Sequence, residues 1–102
     1  MTMEGIGQSI IYRIVTSDQT KALVKLLHKE AMGLGNGQQF LDALLTISNR
    51  LQRDPLEFGE PLYHLPALQL QVFHAVWQRL SVDYDVHAER RLVFIRGFKY
   101  LS

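Results

Sequence analysis

The stretch LQLQVFHAVWQRLSVDYDVHAERRLVFIRGF, residues 68–98, decides the fold because its side chains alternate in character with a period of two. Alternation of this kind is typical of strands with one covered face, since successive side chains leave opposite faces of a sheet. The positions predicted to share a face within each run are Leu68, Leu70, Val72, His74 and Val76, then Leu80, Val82, Tyr84 and Val86, then Leu92, Phe94 and Phe98. Residues 77–79 and 87–90 separate the runs and are of hairpin length. The stretch therefore predicts an antiparallel meander with one face in water.

Two amphipathic helices are predicted before the meander. Residues 9–16 alternate and predict an N-terminal strand, and two apolar stripes at helical spacing follow. The stripes consist of Leu23, Leu26, Leu27, Glu30 and Leu34 in the first helix, and of Phe40, Leu41, Leu44, Leu45, Ser48 and Leu51 in the second. The glycine-rich residues 33–37 separate the helices, which makes an antiparallel hairpin whose apolar side can cover the sheet.

Capping residues mark the helix ends. Ser17 or Asp18 is predicted to cap the first helix, and Asn36 with Gln39 has the pattern of a capping box for the second. Pro55 ends the second helix, because the residue before a proline avoids the helical conformation. A turn-rich connector at residues 56–60 and an extended piece at residues 61–65 then lead into the meander.

These patterns predict an α+β fold: an N-terminal strand, then an antiparallel helical hairpin packed on a twisted antiparallel β-sheet. A chain of 102 residues has the size of one domain, so residues 1–102 are predicted to form a single domain. The hydrophobic content of 47% and the charged content of 21% are ordinary for a globular protein and supply enough apolar side chains for a core.

Charge and cysteine content exclude several classes of function. The net charge is +1, from 11 Lys and Arg against 10 Asp and Glu, which is not the global charge of a typical nucleic-acid binder. The chain has no cysteine, which excludes disulfides and thiolate metal sites and fits the cytoplasm, our predicted location. No metal-ligand spacing is present, so we expect neither a metal nor a cofactor. No apolar run approaches the ~20 residues of a membrane span, so no membrane partner is expected.

Three segments carry a family resemblance. They are LQRDPLEFGEPLYHL at residues 51–65, VDYDV at residues 82–86 and RLVFI at residues 91–95. In these segments and in the order of its predicted elements, the chain resembles the RelE/ParE toxin superfamily. The resemblance implies a helical hairpin on a twisted antiparallel sheet, normally held by an antitoxin peptide that wraps the sheet and the helices. Active RelE-type members cleave messenger RNA in the ribosome without a metal, whereas ParE-type members act on DNA gyrase.

The chain departs from the family pattern at its basic residues. The family's usual arginine pair falls here near Gln71 and Ser81, and Arg79 is two positions away from the second of these. RelE-type members use basic residues plus a C-terminal Tyr or His, and the matching types here are Arg96, Lys99 and Tyr100.

Arg96, Lys99 and Tyr100 are the candidate catalytic residues. Cleavage of RNA through its 2′-hydroxyl needs cations that stabilise the charge building on the phosphate, which a cationic pair beside a phenol can supply. The alternative is a solvated chain end whose tyrosine packs on the edge of the sheet.

Arg79 and Arg91 are the candidate RNA-binding residues, because a basic patch with His87 at one end of the meander would attract phosphates. The alternative is a solvated hairpin in which neighbouring acids neutralise the arginines. Phe73 and Trp77 are the candidate partner-binding residues, predicted to stand on the otherwise polar side of the meander, and the alternative packs them under the N-terminal strand.

His64 and His74 are predicted on neighbouring strands, where a histidine can act as acid or base. The alternative for His74 is a core or half-buried, hydrogen-bonded histidine.

Two functional hypotheses follow. The first is a toxin of a bacterial type II toxin–antitoxin system, acting as a ribosome-dependent mRNA endoribonuclease, with an antitoxin peptide and the ribosome with its mRNA as partners. The second is a catalytically inactive relative that acts as a protein-binding or homodimeric domain through its sheet and the Phe73 and Trp77 surface. The missing arginines favour the second.

Overall fold

A computed structural model describes residues 11–101, in which three helices pack on a five-stranded sheet. The strands are β1 (Arg13–Val15), β2 (Glu60–Leu65), β3 (Leu70–Trp77), β4 (Leu80–His87) and β5 (Leu92–Tyr100). The helices are α1 (Asp18–Gly33), α2 (Gly37–Arg53) and the short α3 (Pro55–Phe58), and a 3-10 turn (Pro66–Leu68) precedes β3. The predicted start of the N-terminal strand at residues 9 and 10 lies outside the described residues.

The sheet is mixed, with the strand order β1-β5-β4-β3-β2. Strands β3 to β5 form the predicted antiparallel meander, and this prediction is confirmed; β2 adds a further antiparallel strand beside β3. The prediction of a wholly antiparallel sheet is wrong at one edge, where β1 pairs with β5 in parallel and Ile14 lies opposite Val93. A parallel pair needs a long crossover connection, and here the helical hairpin and the meander supply it.

The core lies between the helices and one face of the sheet. Val82, Tyr84 and Val86 of β4 are buried there, as predicted. The Phe73 ring stacks on the Tyr84 ring with centroids 5.3 Å apart, and Tyr84 Oη donates a hydrogen bond of 2.7 Å to the carbonyl oxygen of Pro55. This hydrogen bond ties the central strand to the turn after α2.

The predicted faces of β3 and β5 are wrong. In β3 the helix-facing residues are Phe73 and Ala75, because Phe73 pairs with Tyr84 across the ladder and paired residues share a face. Strand β5 has a bulge at Arg96. Tyr84 of β4 pairs with Ile95, and the residue before Tyr84 pairs with Gly97, so Arg96 is an extra residue without a partner in β4. The extra residue shifts the alternation, so that both Ile95 and Phe98 face the helices.

The ends of the helices agree in part with those predicted from the sequence. Ser17 caps α1, since its hydroxyl accepts a hydrogen bond of 3.1 Å from the backbone N–H of Thr20. Asn36 occupies the N-cap of α2, but its side chain makes no capping hydrogen bond, so the predicted capping box with Gln39 is not formed. Helix α2 ends at Arg53, as predicted, and the connector after it begins with the α3 turn.

Both helices bury fewer of their apolar residues than the stripes predict. The buried residues of α2 are Phe40, Ala43, Ile47 and Leu51, while Leu41 and Leu45 stay exposed. In α1 only Thr20 and Ala31 are fully buried, and Leu26 and Leu34 are exposed. The sequence therefore carries more apolar surface on its helices than this core covers.

Candidate functional site

The face of the sheet that points away from the helices, called the open face below, carries an ion pair between a buried carboxylate and a half-exposed arginine. Asp85 alternates with the core residues of β4, and one Nη of Arg96 lies 3.2 Å and 3.5 Å from its two carboxylate oxygens. Burial raises the pKa of Asp85, which is 8% exposed, and the nearby Arg96 guanidinium opposes that rise. Arg96 is thus held in place by a carboxylate, and much of its charge is compensated.

A second polar pair lies beside the first on the open face. Nδ1 of His74 on β3 is 2.5 Å from a carboxylate oxygen of Asp83 on β4, and both side chains are half-exposed. The alternative interpretation of His74 as a half-buried, hydrogen-bonded histidine is confirmed. His64 lies on the neighbouring strand, as predicted, but pairs with Gln71 and not with His74.

The three candidate catalytic residues divide between the two faces of the sheet. Lys99 is exposed and pairs with Ser81, which places it on the open face with Arg96. Tyr100 follows Lys99 and points the other way, where its ring meets the edge of the Phe40 ring at 5.8 Å. The structure therefore brings Arg96 and Lys99 to one face and leaves Tyr100 on the other.

Arg79 and Arg91, the candidate RNA-binding residues, lie at opposite ends of β4. Arg79 is in the β3–β4 turn, where its carbonyl oxygen accepts a hydrogen bond of 2.6 Å from Leu101, and Arg91 follows the other end of the strand. Eight residues of strand separate the two turns by about 25 Å. The predicted patch at a single end of the meander is therefore wrong with respect to Arg79.

Phe73 and Trp77, the candidate partner-binding residues, do not form one surface. Phe73 is 3% exposed and lies in the core against Tyr84, so the prediction that it stands exposed is wrong. Trp77 is 38% exposed at the end of β3. Of this pair, only Trp77 is accessible to a partner.

Apolar side chains are exposed instead along the β2 edge of the sheet. Strand β2 is the last strand of the sheet, so one side of its backbone pairs with no strand of the described chain. Leu62 and Tyr63 on this strand are each about half-exposed. The β2 ladder ends at Glu60, opposite His74, so Trp77 lies three residues beyond the end of β2, and its pairing with Leu80 places it on the helix side of the sheet. We call Leu62 and Tyr63, with the unpaired backbone of β2, the edge surface.

An apolar groove of about 380 Å³ opens on the helix side of the sheet, and we call it the helix-side groove. It lies between α1, α2 and the parallel strands. Its lining residues are Ile14, Thr16, Lys21, Val24, Lys25, Leu44, Ser48, Leu51, Ile95 and Phe98. Lys21 and Lys25 are the charged members of this lining, and no carboxylate is among them.

The edge surface and the helix-side groove are not indicated by local sequence patterns, for two different reasons. Residues 61–65 predict a short strand or extended piece, but not its position in the sheet, which depends on pairing across the chain. The groove lies where α1 contributes Lys21, Val24 and Lys25 to the lining, and the leucine stripe does not indicate this.

Comparisons with known proteins name no relative: no family model matches the sequence, and no curated protein matches it. Within residues 11–101, no helix is both long and apolar enough to cross a membrane. In the same range, no three His, Asp or Glu side chains are grouped so that they could hold a metal ion. The functional argument therefore depends on the geometry of this chain.

Proposed function

We propose that this chain is a protein-binding domain, a catalytically inactive RelE/ParE-like relative, that pairs its edge strand β2 with a β-strand of a partner. The observation that carries the proposal is the edge surface. An edge strand presents unpaired N–H and C=O groups, and natural proteins usually protect such an edge with charges or cover. A charge and a proline protect the start of β2, at Glu60 and Pro61, but Leu62 and Tyr63 are exposed after them.

Addition of a strand is a recurrent mode of peptide recognition, in which main-chain hydrogen bonds give affinity and side-chain contacts give specificity. Leu62 and Tyr63 lie on the strand that would form those hydrogen bonds. Trp and Tyr are also enriched at the energetic centres of interfaces, because they bury a large area with little loss of conformational freedom. The edge surface thus combines a backbone template with one aromatic anchor, Tyr63.

The division of the candidate catalytic residues favours this proposal over the ribosome-dependent endoribonuclease. That activity, as the resemblance implies it, needs basic residues and a terminal tyrosine around one phosphate. Tyr100 packs on Phe40 on the helix side, and Arg96 is paired with a buried carboxylate. Only Lys99 remains exposed on the open face without an ion-pair partner among residues 11–101.

The test uses site-specific photo-crosslinking in a bacterium that expresses the chain. A photoreactive phenylalanine replaces Tyr63 in one variant and Leu26 in another, because Leu26 is equally accessible but lies on the helix side. We expect a crosslinked product from position 63 and none from position 26. Leu62→Lys should abolish the product by adding a charge at the pairing edge, whereas Lys29→Glu on exposed α1 should not.

Two results would overturn the proposal. One is the absence of a crosslinked product at position 63 together with a monomer in sedimentation, since a partner strand could then be neither another protein nor a second copy. The other is growth arrest on induced expression that Lys99→Ala relieves, which would restore the toxin hypothesis.

A further inference from the structure

We propose that the helix-side groove is a binding site for a free fatty acid, that is, for one alkyl chain with a carboxylate head. The proposal is independent of the edge surface, which lies at the opposite margin of the sheet. It depends on the shape of the groove, on its lining and on the position of two lysines.

The groove exists because α1 fills its space poorly. At the groove this helix presents Val24 as its apolar residue, beside the exposed Lys21 and Lys25, while its larger Leu26 points to solvent. Protein interiors are normally packed as densely as organic crystals, so an unfilled apolar space beside the core is unusual. Its volume of about 380 Å³ falls within the range of ligand sites, roughly 300–1,000 Å³.

The lining favours an alkyl chain over a peptide. Val24, Leu44, Ile95 and Phe98 are among six apolar residues that line the groove. A peptide backbone would bring N–H and C=O groups that need partners, and burying such groups unpaired is costly. An alkyl chain needs no partners, and it gains from every methylene group removed from water.

The two lysines select the head group. Lys21 and Lys25 lie one turn apart on α1, so their side chains project in the same direction. Lysine can lay its apolar stem along an apolar surface while its ammonium group stays in water. Among residues 11–101 no carboxylate lines the groove, so both ammonium groups are available to an anionic head at its mouth.

The volume sets the length of the chain. A methylene group is close in size to a water molecule, whose share of liquid volume is about 30 Å³. A groove of about 380 Å³ is therefore on the scale of one alkyl chain of about twelve carbons. Dodecanoate is a probe of that length.

The experiment is a calorimetric titration of the folded full chain with dodecanoate below its micelle concentration. Dodecylamine has the same chain with the opposite charge, and hexanoate has the same head with a shorter chain. We expect dodecanoate to bind with one-to-one stoichiometry and both comparison compounds to bind at least tenfold more weakly. Equal binding of dodecylamine would overturn the assignment of the head group.

Matched variants locate the site. Ser48→Leu places a larger side chain in the groove and should weaken dodecanoate binding at least tenfold, whereas Asn49→Leu, on the exposed side of α2, should leave it unchanged. Lys21→Gln and Lys25→Gln should each weaken binding about threefold, as expected for exposed ion pairs. Circular dichroism establishes that each variant is folded before titration.

Three outcomes would overturn the proposal. These are no binding of dodecanoate to the native chain, equal binding to Ser48→Leu and Asn49→Leu, and binding of anionic phospholipid vesicles without binding of the free acid. A crosslinked protein partner that Ser48→Leu alone removes would also overturn it, because the groove would then be occupied by a polypeptide.

Discussion

Replacing Tyr84 with phenylalanine should destabilise the protein at neutral pH and lose this effect in alkali. Tyr84 has no exposed surface, and its Oη donates to the Pro55 carbonyl oxygen at 2.7 Å while accepting from the backbone N–H of Gly59. Tyr84→Phe leaves both backbone groups without this partner. The expected loss in the free energy of unfolding is about 1–3 kcal/mol at pH 7.

Alkaline pH removes the stability that Tyr84 contributes to the folded protein. Burial raises the pKa of Tyr84 from 10.0 to about 12. Between these values the folded state holds a proton that the unfolded state has released, so stability falls as pH rises. At pH 12, where half of the folded molecules have released this proton, the loss amounts to about 2 kcal/mol at 1.36 kcal/mol per pKa unit, which is comparable to the loss caused by the substitution.

The assay is guanidinium unfolding followed by the fluorescence of Trp77, the single tryptophan, at a series of pH values from 7 to 12. The difference between native protein and Tyr84→Phe should be constant up to about pH 10 and then shrink toward zero or change sign. Tyr63→Phe, at an exposed site, is the matched control and should differ little from native protein throughout. A difference that stays constant above pH 10 would refute the reasoning.

Three further predictions concern stability and are checked by the same unfolding assay at pH 7. Leu51→Ala, in the core, should lower the free energy of unfolding by about 2–5 kcal/mol, whereas Leu45→Ala, at a position 63% exposed on the same helix, should change it by less than about 0.5 kcal/mol. Similar losses in the two variants would contradict the assignment of the α2 faces. Ser17→Ala removes the cap of α1 and should cost about 1 kcal/mol, and Ser17→Asp should retain most of it; no loss in the alanine variant would mean that the cap is not formed in solution. Gly59→Ala should cost about 1–3 kcal/mol, because the added Cβ would lie 2.7 Å from Tyr84 Oη, while Gly97→Ala has open space and should cost less; the reverse order would be inconsistent with this packing.

The order of helices and strands was predictable because each element has its own local period. Ser17, Pro55 and the alternation in residues 80–87 correctly gave the start of α1, the end of α2 and the core face of β4. These signals lie within a few residues of the feature that they predict. Local sequence patterns were therefore sufficient to predict the order of the helices and strands.

The faces of β3 and β5 were not predictable in the same way. In β3 both sides contain apolar residues, so Val72 and Phe73 compete for the core and only pairing with Tyr84 decides between them. In β5 the bulge at Arg96 breaks the period, and one residue is enough to exchange the two faces.

The arrangement of the candidate site residues also depends on strand pairing, which the local sequence does not determine. Lys99 and Tyr100 are neighbours in sequence, which suggested joint action, but consecutive residues of a strand point apart. The separation of Arg79 from Arg91 likewise depends on the length of β4 and not on composition. The parallel pairing of β1 with β5 is a long-range contact, which a local period does not encode.

That parallel pairing also has a consequence for synthesis on the ribosome. Strand β1 leaves the ribosome before the helices, but its neighbour in the sheet of residues 11–101 is β5, which follows all four other strands in the chain. Until β5 emerges, the nascent chain can build the helical hairpin but must keep Ile14 without its native neighbour. A cell that halts translation before residue 92 would therefore release a chain with two unfinished sheet margins, which is a state prone to aggregation.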